Sequence, residues 1–235
     1  ALPICLTQGG VDAWRVGRGP TPMLYFATRT FGADGGIMVT GSHNPPDHNG
    51  LKLMTGSLPA TPEDLGSLRH RTESGRRRRA EGCLETIDPA IPYREWILER
   101  WRGSDGLRVV LDAGNGAWSE LGPEVFETLG FEVHRLFCEF DGRYPNRAPD
   151  SARAENLNAV REAVVRTGAR LGIAWDGDGD RVAFVDETGS VARADEIAVL
   201  LARHLLEERR GEKVVHDIKL SDVVRREVLA AGGVP

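Results

Sequence analysis

The sequence predicts an α/β fold of consecutive units, each built on a parallel or mixed sheet, and three observations predict it. Short apolar runs alternate with helix-like stretches along the 235 residues, an order that implies strands joined by helical crossovers. Two of these runs end in acid-bearing, Gly-rich turns, Asp112 before Ala113-Gly-Asn-Gly116 and Asp176 before Gly177, where open α/β sheets place their ligands. Composition is that of an ordinary globular chain, 40% hydrophobic and 28% charged with 28 Gly and 13 Pro, which excludes disorder, collagen and coiled coil.

Taken in order, Gly36 to Thr40 reads as a short buried strand and Leu51 to Met54 as a second, separated by the loop Gly41 to Gly50. Thr61-Pro-Glu-Asp-Leu has a capping residue, Pro at the first helical position and early acids, so a helix is expected to about Thr72, ending near Gly75. The arginine run Arg76 to Arg79 reads as a solvated linker, with phosphate binding as the minority reading. A helix from about Pro92 to Trp101 precedes a strand at Leu107 to Asp112, the Gly-rich turn, and a helix from about Ser119 to Leu129. Phe131 to Leu136 gives the next strand, Ala154 to Thr167 the next helix, and Arg170 to Trp175 a strand that delivers Asp176 at its end. Val182 to Val185 reads as strand, running through Asp186 into a tight turn at Gly189. From Ala194 a helix is expected with acids in its first turn and an apolar face of Ile197, Leu200, Leu201 and Leu205. A last βα unit, Val214 to Ile218 and then Ser221 to Ala231, closes the reading.

Charge and cysteine usage narrow the function classes. The net charge of -5, from 30 basic and 35 acidic residues intermixed along the chain, argues against nucleic-acid binding through a basic surface. The apolar stretch Ile197 to Ala202 is far shorter than the roughly 18 residues of a membrane span, and Ala1 to Gly10 lacks the pattern of a signal peptide. Cys5, Cys83 and Cys138 are odd in number, far apart and without metal spacing, so a reduced cytoplasm is expected. Small-molecule chemistry is the class left.

Two constellations carry that chemistry. In Thr40-Gly-Ser-His-Asn-Pro-Pro-Asp-His-Asn-Gly-Leu-Lys52, Ser42 follows a glycine in a loop that Asn-Pro-Pro fixes and Asn-Gly releases. Its hydroxyl is a candidate nucleophile or phosphate carrier; an ordinary surface turn is the alternative. No Gly-x-Ser-x-Gly elbow is present, and His43 is badly placed to serve as base for its own neighbour. In Asp176-Gly-Asp-Gly-Asp-Arg181, carboxylates at every second position point the same way in extended backbone, and the glycines allow all three to reach one hard cation. An EF-hand would place Glu187 at its twelfth position, but Arg181 stands where that loop requires Gly. A purely structural acidic turn is the remaining alternative. Among the 30 basic residues only Lys52, Lys213 and Lys219 are lysines, so an amine able to lose its proton beside the serine loop stands out.

The serine loop and the Asp-Gly-Asp-Gly-Asp-Arg loop, in this order, resemble the phosphohexomutase superfamily, most closely its bacterial phosphomannomutase/phosphoglucomutase branch. Arg18-Gly-Pro-Thr-Pro22 and Val110-Leu-Asp-Ala-Gly-Asn-Gly116 also look like that family; Pro145-Asn-Arg-Ala-Pro-Asp150 and Glu155-Asn-Leu157 match more weakly, with a His-rich element replaced. The resemblance implies a four-domain enzyme that moves a phosphoryl group between the 1- and 6-hydroxyls of a hexose through a bisphosphorylated intermediate. It implies Ser42 as the phosphorylated residue, Lys52 as the acid/base lysine, and His43 and Arg181 as groups that contact the phosphoryl group or shape its loop. The implied cation is Mg²⁺, held by Asp176, Asp178, Asp180 and a phosphate oxygen on Ser42, with a hexose 1,6-bisphosphate as activator and a phosphosugar as substrate. It further implies that 1–92 is the C-terminal part of a first domain, 93–191 a second, and 192–235 the start of a third, so that a first strand and a phosphate-clamping fourth domain lie outside a fragment inactive alone. Phosphoglucosamine mutase is the alternative with the same chemistry, and a non-catalytic metal-binding module the alternative without it. The preferred sugar and the oligomeric state are left open.

Overall fold

The computed structural model describes residues 2–75, 79–101 and 106–235, so most of the arginine run, Arg76 to Arg78, lies outside the described residues. The chain opens with helix α1 (Leu2–Gln8) and strand β1 (Ala13–Arg15). Pro20 sits in extended backbone at the start of helix α2 (Thr21–Thr30), and Pro22 inside its first turn is tolerated because N–H groups there have no helical partner. Strands β2 (Gly35–Val39), β3 (Leu51–Thr55) and β4 (Leu58–Pro59) follow and form an antiparallel sheet in that order, since no crossover helix separates them. Register pairs Val39 with Leu51 and Met38 with Lys52, and the Thr40 N–H donates to the Gly50 carbonyl at 3.0 Å, closing the base of the serine loop.

Helix α3 (Pro62–Glu73) starts where its sequence predicts. The Thr61 hydroxyl accepts from the Asp64 N–H at 3.2 Å, and the Asp64 carboxylate accepts from the Thr61 N–H at 2.8 Å. Strand β5 (Leu84–Thr86) then returns to pair in parallel with β1. Between α1, α2, α3 and the β2–β3 hairpin lies an apolar cavity of about 890 Å³, lined in part by Leu6, Leu24, Phe31, Ile37 and Leu68.

Helix α4 (Ala90–Leu98) begins two residues before the expected Pro92, and the Asp88 carboxylate accepts from the Ala90 N–H at 2.9 Å, satisfying one of the amides at that end that have no helical partner. Strand β6 (Arg108–Asp112), helix α5 (Leu121–Thr128), strand β7 (Glu132–Leu136), a 3₁₀ turn at Ala154–Leu157, helix α6 (Asn158–Thr167), strand β8 (Leu171–Trp175) and strand β9 (Val182–Asp186) make the central unit. Its sheet has the order β7-β6-β8-β9, parallel except for β9. Alternation along β6 sends Val109 and Leu111 to the face covered by Phe126, Trp118 and Trp175, and Val110 to the face packed by Val160 and Val164 of α6. All three side chains of Val109, Val110 and Leu111 are fully buried, each contributing about 2 kcal/mol or more of hydrophobic stabilisation. The chain leaves β6 on one side to form β7 and crosses to the other side to form β8, so the carboxyl ends of β6 and β8 flank a topological switch point.

Two expectations near the end are corrected. Helix α7 (Ala194–Glu208) does not bury Ile197, Leu200, Leu201 and Leu205; it buries Ala202 and Leu206, which pack with Val224 and Val228 of helix α8 (Asp222–Ala230). Small Ala202 and Gly233 allow the two helices to approach, and this rotates Leu200, Leu201 and Leu205 into solvent. Val214 to Ile218 forms no strand among the described residues: only Lys213 bridges Val234, and Val215 and Ile218 are 96% and 95% exposed. Beyond the Val214 N–H, which donates to the Val234 carbonyl at 2.8 Å, the segment pairs with no strand among the described residues.

Candidate active site

The acidic loop leaves β8 at this switch point. Strands β8 and β9 pair directly at Trp175 and Val182, so 176–181 is the loop of a hairpin, closed by the Asp176 N–H donating to the Arg181 carbonyl at 3.1 Å. Because Val182 to Asp186 is strand, the EF-hand reading is excluded. Gly179 adopts φ 72°, turning the chain where a side chain would strike Trp118, whose indole N–H donates to the Gly179 carbonyl at 2.9 Å.

The serine loop meets this hairpin face to face. A Cβ on Gly177 would lie 2.5 Å from the Ser42 carbonyl oxygen and 2.6 Å from the Tyr144 hydroxyl, so only glycine permits the approach. Ser42 itself has φ 54°, a left-handed backbone that costs a non-glycine residue roughly 1–2 kcal/mol. The Thr40 hydroxyl helps to hold it there by accepting from the Ser42 N–H at 2.7 Å. Strain maintained by a specific hydrogen bond at one half-buried serine distinguishes this loop from an ordinary surface turn.

All the site residues expected from sequence come together. The Arg181 guanidinium donates to Ser42 Oγ at 2.8 Å, bonds the His43 ring at Nδ1, and lies 3.1 Å from Asp176 Oδ2. Ser42 Oγ is 3.5 Å from Asp176 Oδ2. Lys52 Nζ lies 2.6 Å from Oδ2 of Asp178 and 2.6 Å from Oδ2 of Asp180. One carboxylate oxygen from each of Asp176, Asp178 and Asp180 lies within 4.8 Å of the others.

Burial pushes the Asp176 carboxyl upward, opposed by the Arg181 N–H. Burial would raise Asp178 also, but hydrogen bonds from Lys52 and Thr21 outweigh it and hold that carboxyl below its ordinary value. Burial alone would depress the Lys52 ammonium, yet its bonds to Asp178 and Asp180 prevail and raise its pKa. Three carboxylates against the two cations Lys52 and Arg181 leave one net negative charge, and a phosphate on Ser42 would add about -1.5 to -2 more. Asp178 Oδ1 is buried and has no hydrogen-bond partner. An all-oxygen donor set with excess negative charge and an unpartnered buried carboxylate oxygen fits a hard divalent cation.

Several supporting residues escaped the sequence reading. Thr21 is fully buried, and its hydroxyl donates to Asp178 Oδ2 at 2.9 Å, as the Thr40 hydroxyl does at 3.1 Å. Arg147, in the loop where the His-rich element is replaced, is buried against Asp112, with Nε 2.8 Å from Oδ2, and donates to the Trp175 carbonyl at 2.8 Å. It thereby ties the carboxyl ends of β6 and β8 directly under the acidic loop. Burial pushes the Asp112 carboxyl upward while Arg147 pulls it back. The one available signal was position: Thr21 and Arg147 lie inside segments that resemble the family, but nothing local indicates their partners.

Comparison with known proteins agrees with this geometry. Residues 3–79 match the family model described as phosphoglucomutase/phosphomannomutase, alpha/beta/alpha domain I, and residues 93–189 match domain II of the same family. A phosphomannomutase/phosphoglucomutase of Pseudomonas putida is 38% identical over 91% of this chain and 46% of its own length. A Methanothermobacter thermautotrophicus protein named "Probable phosphoglucosamine mutase" is 35% identical over 94% of this chain and 49% of its own. The crystal structure of a phosphoglucomutase/phosphomannomutase family protein from Burkholderia thailandensis superposes with a TM-score of 0.95 at 36% identity, covering all of this chain and 53% of that one. The chain spans about half the length of the curated relatives it matches. With both family models in chain order over most of its residues, the chain belongs to the phosphoglucomutase/phosphomannomutase family.

Proposed function

We propose that the protein is a phosphohexomutase, interconverting hexose 1-phosphate and 6-phosphate through a phosphoserine at Ser42 and a hexose 1,6-bisphosphate. The observation that carries this reading is the strained Ser42 hydroxyl, bonded by Arg181 and facing three clustered carboxylates. The domain division that goes with it places the serine loop in 1–92, the carboxylate loop in 93–191, and the start of a third unit in 192–235. The three widely spaced cysteines suit a cytoplasmic enzyme.

In the transfer, a sugar hydroxyl attacks phosphorus on Ser42, a new O–P bond forms, the Oγ–P bond breaks, and the proton lost by the sugar hydroxyl is balanced by one gained at Ser42 Oγ. Arg181, already donating to Ser42 Oγ, stabilises the negative charge that develops there. Lys52 is protonated at neutral pH, since its pKa is raised, and so is set to give a proton at Nζ; it can accept one only after giving its own, which its bonds to Asp178 and Asp180 oppose. His43 holds Arg181 from the solvent side. Asp176, Asp178, Asp180 and a phosphate oxygen on Ser42 would hold Mg²⁺, which when bound neutralises charge on the transferring phosphoryl group. In the second half-reaction the bisphosphate returns its other phosphoryl group to Ser42.

A coupled assay of the full-length protein on glucose 1-phosphate and mannose 1-phosphate tests this. We expect formation of 6-phosphates dependent on Mg²⁺ and a bisphosphate activator, and a loss of more than about 100-fold in Ser42→Ala. No conversion of any hexose phosphate, or full activity in Ser42→Ala, would defeat the reading. Glucosamine phosphate belongs in the same panel, because the Methanothermobacter relative favours phosphoglucosamine mutase as the second reading.

A further inference from the structure

We propose that Thr21 and Thr40 are positioning residues of the cation site: their hydroxyls, both in the serine-bearing half, fix the Asp178 carboxylate so that Oδ1 faces the cation. The inference rests on the cation reading above and adds residues to it that bind no ligand themselves. A carboxylate has two oxygens and about four acceptor sites. At Asp178 the two oxygens are used very unequally. Oδ2 accepts from Thr21 at 2.9 Å and Thr40 at 3.1 Å and lies 2.6 Å from Lys52 Nζ, whereas Oδ1 is buried with no partner. Asp178 is only 5% exposed, so bulk solvent does not reach Oδ1.

Leaving such an oxygen unpaired is unfavourable, and free rotation about the side chain would expose either oxygen to the same donors. The two threonines prevent that rotation. Thr21 cannot shift, because it is fully buried and its own N–H donates to the Asp178 carbonyl at 2.8 Å. Thr40 cannot shift without Ser42, because the hydroxyl that donates to Asp178 also accepts from the Ser42 N–H at 2.7 Å. One oxygen atom thus connects the phosphate carrier to the cation ligand. Cation binding is therefore linked to the seating of the first half of the chain on the second: what loosens the threonines weakens the site, and what fills the site holds the halves together.

The test is Mn²⁺ titration of the 235-residue chain, read by the electron paramagnetic resonance of free Mn²⁺, with thermal melts in parallel. Thr21→Val and Thr40→Val remove the hydroxyl at nearly constant shape, and Thr21→Ser keeps it. We expect the two valine variants to bind Mn²⁺ about 10-fold or more weakly, with Thr21→Ser close to the unsubstituted chain. The rise in melting temperature caused by Mn²⁺ should shrink in the same order. Folded valine variants with unchanged Mn²⁺ affinity would overturn the proposal and leave the threonines as packing residues, as would Thr21→Ser binding as weakly as Thr21→Val. Should Thr21→Val fail to fold, half-buried Thr40 carries the same comparison. Absence of Mn²⁺ binding by the unsubstituted chain would instead defeat the cation reading, and the inference with it.

Discussion

At Asp178 a single side chain does three things: it takes hydroxyl donors from Thr21 and Thr40, an ammonium from Lys52, and keeps one oxygen unpartnered. Asp178→Asn keeps size and preserves one acceptor for the threonines but turns the other oxygen into a donor that cannot ligate a cation. Mg²⁺ affinity and turnover of the full-length protein should therefore fall together, by about 10- to 100-fold. Steady-state assays across Mg²⁺ concentration check this; unaltered activity and Mg²⁺ dependence would make the carboxylate loop structural. The alternating acids made Asp176, Asp178 and Asp180 legible in the sequence, and the scarcity of lysine drew attention to Lys52. Thr21 was not legible, because its partner stands 157 positions away and a threonine between two prolines looks like ordinary helix punctuation.

Elements were readable in proportion to their length and their caps. Helix α3 followed from Thr61-Pro-Glu-Asp, whose reciprocal cap is present, β6 and β8 followed from apolar runs ending in Gly-rich turns, and β7 followed from the run Phe131 to Leu136. Strands β1, β4 and β5, two or three residues long, carry no periodicity, and α2 hid behind Pro20 and Pro22. The apolar face of α7 was misread because Ala202, a small residue, lies at the real contact and three leucines do not. Packing among elements also yields a pH effect. Tyr93 on α4 lies against Phe26 of α2 at 5.3 Å between ring centroids and against Trp118 at 6.3 Å, and burial pushes its phenol up to about 12. An acid whose folded pKa is raised favours the folded state less as pH climbs, because the unfolded chain ionises first. Its stabilising share is intact below pH 10 and lost between pH 10 and about 12, reaching about 2 kcal/mol at the upper end. Urea melts at pH 8 and pH 11.5 should show Tyr93→Phe losing less stability over that interval than the unsubstituted chain; equal losses would remove Tyr93 from the alkaline transition.

Over the whole molecule, the proposed function depends on two segments 134 positions apart, at Ser42 and Asp176, that meet beside the switch point of the central sheet. Charge density in the acidic loop indicated a cation, but the pairing of that loop with the serine came from the resemblance of both motifs to one family. The geometry supplies the physical reason: Gly177 lets the backbones approach, Arg181 reaches from one loop to the hydroxyl of the other, and the Arg147–Asp112 pair braces the strands beneath. The central claim is that Ser42 carries the phosphoryl group beside the cation. It is tested most directly by incubating the protein with a hexose 1,6-bisphosphate and Mg²⁺, digesting it, and mapping phosphate by mass spectrometry. We predict phosphate on the peptide containing Ser42 and none in Ser42→Ala, whereas phosphate on another residue, or none at all, would contradict the account.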